Sequence, residues 1–327
     1  MIKLFRNSQP IHIFWLAVIT FALRISPFAK LTTYNQQPFS SLLQHLLIPI
    51  NNQYYISYHN SLIIACIIVF IQAMLLNFIT NKYVILGKLT YLPALFYIIY
   101  CSILSPFLTL SPALVANFFV LYIFYKLLSG YKKPDAISTF FDIGLVIGLG
   151  TILYFPFLVL LVWIWVSLII LRPFYWREWL SPFIAFLLIQ FFLAVFYYYN
   201  NSFNLMLKFW QPIRSPITLF IKFNAINYLV LLPLAVSLLL GILHLRLNFF
   251  KTIVLVRKTF IVLLLLTVVI TFSFYLSPAF KLRHFILLAT PAAILCGYYF
   301  LNARIKWIYE TQFILIIIFI AYFQFTS

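Results

Sequence analysis

Acidic residues are almost absent from this sequence, which has 4 Asp+Glu against 22 Lys+Arg in 327 residues. Charged residues of both signs make up 8% of the chain, whereas a soluble domain carries about a quarter. Hydrophobic residues make up 65%, which is more than a globule of this size can hide from water. The composition therefore excludes an ordinary soluble fold.

Glycine and cysteine are also scarce. With seven glycines and no Walker loop, dinucleotide fingerprint or G-x-S-x-G motif, the sequence excludes loops that cradle phosphates. The three cysteines stand singly in apolar runs without C-x-x-C spacing, and we interpret them as small buried hydrophobes. The five histidines form no pair at helical spacing, so we predict no metal site and no cofactor.

Long apolar runs are what the sequence does have. Runs of about 18 residues, each able to cross a hydrocarbon core about 30 Å thick, recur along the whole chain. We therefore predict an all-α integral membrane protein with about 11 transmembrane helices in one polytopic domain, residues 1–327. The predicted helices are 11–28, 61–79, 90–104, 111–128, 137–154, 155–171, 181–199, 226–245, 259–277, 284–302 and 308–325.

Proline and glycine motifs shape several of these helices. The Ser111-Pro112 motif separates the third predicted helix from the fourth. The Tyr154-Phe155-Pro156 motif separates the fifth from the sixth so narrowly that one broken helix and a tight helical hairpin both remain open. Gly144-x-x-x-Gly148 indicates close packing of the fifth helix against a neighbour.

Basic residues predict the orientation of the helices. With a cytoplasmic N-terminus, fifteen of the 22 Lys+Arg fall on the cytoplasmic side, as the positive-inside rule requires. We expect a bacterial inner membrane protein with a periplasmic C-terminus, a retained first helix and two longer outer segments, 31–60 and 200–225. Basic residues scattered between apolar runs indicate contact with membrane lipids and argue against nucleic-acid binding.

The carboxylates all fall on the predicted cytoplasmic side. They are Asp135, Asp142, Glu178 and Glu310. A site on the outer face therefore lacks a carboxylate that could act as a general base or hold Mg²⁺. We interpret Asp142, Glu178, Arg172 and Arg177 as structural residues of the inner face. The expected partners of Asp142 are Lys132, Lys133 and Arg172.

Several cations on the predicted outer side run against the positive-inside bias. These are Arg24, Lys30, Lys281 and Arg283, with His284 beside them. An anionic ligand such as a lipid phosphate would explain them, because arginine binds phosphate bidentately and a helix N-terminus adds a favourable dipole. The alternative is that their side chains snorkel to the headgroups of the outer leaflet.

Three stretches resemble an uncharacterised family of membrane proteins from Bacteroidota. They are LSPALVANFF at 110–119, FDIG through YFP at 141–156, and RPFYWREW at 172–179. Members of that family are sometimes labelled carotenoid cleavage oxygenases or carotenoid monooxygenases. That label does not fit, because those enzymes resemble soluble propellers with four iron-binding histidines, and this sequence supplies no such set.

The order of motifs over 111–171 also resembles the GT-C glycosyltransferases, which use polyprenyl-phosphate-linked sugars. Arg283-His284-Phe285, followed by Ala-Thr-Pro-Ala at 289–292, is similar to a late helix of that family. The resemblance implies a GT-C-like helical bundle and places Arg283 near a lipid phosphate. That family carries an acidic residue in its first outer loop, whereas 31–60 contains none.

The leading hypothesis is accordingly a GT-C-like protein that handles a polyprenyl-phosphate-linked sugar or another anionic lipid. Arg24, Lys281 and Arg283 would hold the phosphate, and His45 or His59 would be the only nearby candidates for a base near neutral pH. The alternative is a non-catalytic transport, flipping or scaffold subunit of a cell-envelope complex, with a stable membrane protein partner. An ion-coupled transporter is disfavoured, since no carboxylate is predicted near the bilayer midplane.

Overall fold

The computed structural model describes residues 2–26, 58–210, 231–248, 250, 252–276, 282–303 and 305–326. Within these ranges the chain is helical and contains no strand, so the predicted all-α class is confirmed. Most of segment 31–60 and part of segment 200–225 lie outside the described residues, as do Lys30, His45 and Lys281.

The α-helices are numbered in chain order. They are α1 (Ile2–Phe5), α2 (Ile11–Ala22), α3 (Tyr58–Lys82), α4 (Leu92–Tyr100), α5 (Pro112–Gly130), α6 (Ile137–Leu153), α7 (Leu160–Leu171), α8 (Trp176–Tyr199), α9 (Phe203–Phe209), α10 (Leu231–Asn248), α11 (Val254–Ser273), α12 (Ala289–Asn302) and α13 (Lys306–Thr326). Short 3₁₀ segments interrupt the path between them. These are Ser105–Phe107, Phe155–Val159, Phe274–Leu276 and Leu282–Leu288.

Several described helices have the length and apolarity of membrane spans. Five meet both criteria, namely Tyr58–Lys82, Pro112–Gly130, Trp176–Tyr199, Val254–Leu276 and Leu282–Asn302. Shorter apolar helices are Ile11–Ala22, Ile137–Leu153, Phe155–Leu171 and Leu232–Asn248. These helices indicate a multi-pass membrane protein, while the expected number of about 11 spans stays a prediction.

The outer surface of α8 indicates which environment surrounds the helices. Its Phe191 and Phe192 side chains are 62% and 60% exposed, and Leu187 and Val195 on the same helix are exposed as well. Such a continuous apolar face is unfavourable in water but matches the acyl chains of a bilayer. The exposed face of α8 therefore supports the membrane assignment.

Close packing between α6 and α8 depends on two glycines. A Cβ at Gly144 would overlap the backbone of Pro182, and a Cβ at Gly148 would lie 2.8 Å from the Cβ of Ile189. Only glycine lets the two backbones approach this closely. The interpretation of Gly144-x-x-x-Gly148 as a packing motif is thus confirmed.

The region predicted as a helix over 90–104 is helical only from Leu92 to Tyr100. The Ser111 side chain then caps α5 by accepting a hydrogen bond from the Leu114 N–H at 3.2 Å. The predicted break at Ser111-Pro112 is confirmed.

The Tyr154-Phe155-Pro156 motif forms a tight hairpin. α6 stops at Leu153, a 3₁₀ segment follows, and α7 runs back to Leu171. At the far end, Arg172 is ion-paired with Glu178, whose carboxylate also accepts from the Ala136 N–H at the start of α6. The end of α7 therefore lies beside the beginning of α6, which resolves the choice in favour of the hairpin.

The helix termini gather in two groups at opposite ends of the bundle. The first, here called the mixed-charge end, is defined by Arg6, Lys82, Asp142, Arg172 and Glu178. The second, here called the His284 end, is defined by Arg24, Cys101, Tyr154, Ser273 and His284. In the described structure, the helices α3 to α8 run alternately between these two ends, while the side of a membrane that each end faces stays a prediction.

Candidate functional site

The carboxylates are confined to one end of the molecule. Asp135, Asp142 and Glu178 lie around the starts of α6 and α8. Glu310 lies in the first turns of α13, next to Tyr309, whose ring is 4.3 Å from the Arg6 guanidinium carbon. Because these are all the Asp and Glu of the sequence, the His284 end contains none.

A buried ion pair organises the mixed-charge end. Arg172 Nε and Nη2 donate to the two carboxylate oxygens of Glu178 at 2.8 and 2.7 Å. Arg172 Nη1 also donates to the carbonyl oxygens of Gly130 and Lys133. Glu178 accepts from the Ala136 N–H at 3.2 Å. The pair thus joins the ends of α5 and α7 to the starts of α6 and α8, which is a structural arrangement.

Asp142 is paired with a residue that the sequence did not single out. Its carboxylate lies 2.7 Å from Lys126 Nζ, and the two side chains are 42% and 23% exposed. Of the expected partners, Lys133 donates to Thr139 and Arg172 is engaged with Glu178. The antiparallel α5 and α6 are joined by a short loop, so residues about equally far from that loop face each other, and Lys126 and Asp142 are such residues.

Arg177 lies on the surface of the same end. Its guanidinium carbon is 5.6 Å from the centre of the Trp176 ring. Phe174, Tyr175 and Trp176 are 72%, 62% and 59% exposed. Exposed aromatic rings beside an arginine are typical of the level of lipid headgroups, so this loop fits an interfacial anchor better than a ligand site.

At the opposite end, His284 is the centre of a buried hydrogen-bond network. Its Nδ1 lies 2.7 Å from the Tyr154 hydroxyl oxygen, and its Nε2 lies 2.9 Å from the Ile270 carbonyl oxygen and 3.0 Å from Ser273 Oγ. A carbonyl oxygen only accepts, which assigns the proton to Nε2 and makes Nδ1 the acceptor of the Tyr154 hydroxyl. Both ring nitrogens are therefore already engaged within the protein.

Arg24 is buried rather than turned toward the surface, with 1% of its area exposed. Its Nη1 donates to the Leu108 carbonyl at 3.1 Å, and its Nη2 donates to the Cys101 carbonyl at 2.9 Å and, more weakly, to that of Phe107 at 3.5 Å. Cys101 ends α4, so the cation also meets the negative end of a helix dipole. Arg24 Nε has no hydrogen-bond partner in the described structure.

The remaining predicted site residues are spread over the same end. Arg283 is half-buried and directly precedes His284 in the 3₁₀ segment that leads into α12. His59 is exposed on the first turn of α3, close to where Ser61 Oγ accepts from the Leu110 N–H at 3.0 Å. The described structure thus brings Arg24, Arg283, His284 and His59 to one end of the bundle.

Sequence reasoning missed the buried amides that hold this end together. The Tyr97 hydroxyl donates to Gln72 Oε1 at 2.8 Å, and Gln72 Nε2 donates to the Leu114 carbonyl at 2.8 Å. Asn117 Nδ2 donates to the Ile286 carbonyl at 2.9 Å. The available signal was the presence of single Gln and Asn residues inside otherwise apolar runs, since such residues hydrogen-bond across helices in membranes.

Among the residues that the structure describes, no group of three His, Cys, Asp or Glu side chains is placed to hold a metal ion. No protein family, curated protein or solved structure was found to match this chain. The arrangement at the His284 end is therefore interpreted from its own residues. Its chemistry is that of a basic region without acids, in which hydroxyl, amide and carbonyl groups provide the polar contacts.

Proposed function

We propose that this chain is a multi-pass protein of a bacterial inner membrane whose His284 end faces the periplasm and binds an anionic lipid headgroup. The observation that supports it is the absence of Asp and Glu from an end that holds Arg24 and Arg283. The resemblance to GT-C glycosyltransferases narrows the ligand to a polyprenyl-phosphate-linked sugar.

Electrostatics favours an anion at this end. A cation buried away from water is costly, and proteins usually balance it with a carboxylate. Among the described residues, the hydrogen-bond partners of Arg24 are carbonyl groups, which supply partial negative charge. A phosphate held nearby would add the missing negative charge in a region of low dielectric, where its effect is larger than in water.

Arg283 and Arg24 have different roles in binding the phosphate. Arg283 lies in the segment that enters α12 from its N-terminal side, where the helix dipole favours a negative group. We assign it the direct contact with the phosphate. Arg24 is committed to the carbonyls of the 101–108 segment, so it positions the backbone of this end and contributes its charge from within.

Sugar transfer would need a group that removes a proton from the acceptor. His284 does not serve, because both of its nitrogens are hydrogen-bonded within the protein. If the protein transfers a sugar, the general base is His59, which is exposed at this end, or His45. Lys30 and Lys281 join Arg283 as phosphate ligands in that case.

A second function is favoured by the same absence of carboxylates. Without an acid at this end, the protein would bind or move the lipid without transferring its sugar, as a flipping or scaffold subunit of an envelope complex. This version predicts a stable membrane protein partner and no turnover of the lipid-linked sugar.

Native mass spectrometry of the protein purified from membranes tests the binding. We expect a bound polyprenyl phosphate on the wild type, weaker retention in Arg283→Gln, and wild-type retention in Arg177→Gln, which removes a cation from the other end. Equal retention in both variants, or the presence of zwitterionic lipids alone, would contradict the proposal. Co-purifying subunits without any sugar transfer to added acceptors would support the second function over the first.

A further inference from the structure

A cavity of about 750 Å³ opens at the mixed-charge end, far from the residues of the proposed function. Its walls are the loop 84–87 between α3 and α4, the last turns of α10 and α12, and the start of α11. Small-molecule sites in proteins usually enclose about 300–1,000 Å³, so the volume suits an organic ligand.

The loop that lines this cavity is held in an unfavourable backbone conformation. Val84 has φ 48° and Gly87 has φ 83°. A β-branched residue such as valine avoids positive φ, and conformations of this kind are found preferentially where a ligand or a switch requires them. Hydrogen bonds from the Ile85 N–H to the Thr80 carbonyl and from the Gly87 N–H to the Val84 carbonyl maintain the loop, at 3.0 and 2.9 Å.

The polar part of the wall includes the side-chain amides of Asn248 and Asn302. Asn248 Nδ2 donates to the His244 carbonyl at 3.1 Å, and Asn302 Nδ2 donates to the Tyr298 carbonyl at 3.0 Å. Each amide nitrogen thus uses one of its two N–H groups within its own helix, which leaves the second N–H and the side-chain oxygen to a ligand. Both helices also end here, so their negative dipole ends lie at the wall. The amides suit groups that both donate and accept, such as hydroxyls, and the dipole ends disfavour an anion.

The charges around the cavity disfavour cations. None of its described lining residues carries a carboxylate. Basic residues flank the wall on three elements, with Lys82 and Lys88 on either side of the loop, Arg246 in the last turn of α10 and Arg257 in the first turn of α11. An ammonium headgroup would be repelled by this field.

An uncharged headgroup that carries hydroxyl groups avoids both the helix dipoles that disfavour an anion and the basic residues that repel a cation. Its hydroxyls can donate to the oxygens of Asn248 and Asn302 and accept from their second N–H groups. The aliphatic side chains of Ile85, Leu247 and their neighbours suit an alkyl chain. We propose that this cavity binds a neutral, polyhydroxylated amphiphile of the alkyl-glycoside type.

The test uses three probes with the same eight-carbon chain, namely octyl glucoside, octyl phosphate and octyltrimethylammonium. Each is titrated below its micelle concentration into the protein in nanodiscs, and the heat is corrected with empty nanodiscs. We expect saturable binding of octyl glucoside alone. Tighter binding of octyl phosphate or of the ammonium probe, or no saturable binding of the glucoside, would overturn the proposal.

Two kinds of variant locate the site. Ile253→Trp fills the cavity, whereas Val254→Trp alters the next position, which is also exposed but lies outside the wall. We expect the first to abolish glucoside binding and the second to leave it unchanged. Asn302→Leu, which conserves volume, should weaken binding by about tenfold through the loss of a hydrogen bond. Thermal unfolding of each variant checks folding, and equal binding by both Trp variants would exclude this cavity.

Discussion

Arg172 and Arg24 are both arginines within the helical bundle, at opposite ends, and the protein neutralises them in different ways. Arg172 has a carboxylate partner at 2.7 Å and 2.8 Å, together with backbone carbonyls. Arg24 has, within the part of the chain that the structure describes, carbonyl partners alone. Arg172 is therefore balanced by a carboxylate of the chain, whereas Arg24 has no carboxylate beside it, because all four Asp and Glu lie at the other end. This difference is the reason why we place the anion site at the His284 end.

Hydrogen bonds to backbone carbonyls at helix C-termini stabilise several basic side chains in a chain that has 22 Lys+Arg and only 4 Asp+Glu. Arg6 donates to the Phe300 and Ala303 carbonyls at the end of α12. Lys258 donates to the Leu171 carbonyl at the end of α7 at 3.3 Å. In each case a cation from one helix satisfies the free carbonyls at the C-terminus of another, where the dipole is negative.

The largest expected effect comes from Arg172→Met. This change leaves Glu178 buried without a counter-charge, and breaking a buried pair in this way costs about 3–5 kcal/mol. The free energy of unfolding, measured by denaturant titration in detergent, should fall by that amount. The double variant Arg172→Met, Glu178→Met should recover much of the loss, and a double variant as unstable as the single one would contradict the assignment.

Arg24→Met should have a smaller effect, because no buried anion is left behind. The cost is that of the carbonyl groups that lose their donor, about 1–3 kcal/mol in free energy of unfolding. The comparison with Arg172→Met is made in the same detergent and assay. If Arg24→Met proves as costly as Arg172→Met in delipidated protein, Arg24 has an anionic partner within the chain and the contrast between the two ends fails.

Lys126→Met should have the smallest effect. Both members of the Lys126–Asp142 pair are partly exposed, and such pairs contribute under about 1 kcal/mol. We expect this contribution to shrink further at high salt, whereas the cost of Arg172→Met stays nearly constant. A loss above about 2 kcal/mol would show that this pair is buried in the membrane protein and that the mixed-charge end extends deeper than described.

The sequence predicted helix positions well because proline and serine mark where helices break. Ser111 caps α5, and Pro156 lies in the turn between α6 and α7, at the positions where the sequence indicated breaks. The third predicted helix was drawn too long, because no such marker stands at the point where the helix ends. Its apolar run continues past Tyr100, and hydropathy responds to burial in the membrane, not to backbone geometry.

The direction in which a charged side chain points could not be predicted. Arg24 was expected to face a lipid phosphate, but its partners are carbonyls freed by the break near Pro106, more than 75 residues away in sequence. The partner of Asp142 likewise depends on how α5 and α6 align. Both contacts follow from helix packing, which a single sequence does not specify.

The irregular segment after α4 has a consequence for the order of assembly. The Ser102 carbonyl in this segment accepts from Gln324 Nε2 at 2.7 Å, across 222 residues of chain, and Gln324 Oε1 accepts from Ser26. During synthesis this segment is made early, and the donor to its Ser102 carbonyl arrives only with α13. A chain that stops before that helix therefore leaves the Ser102 carbonyl without this donor and the Ser26 hydroxyl without this acceptor.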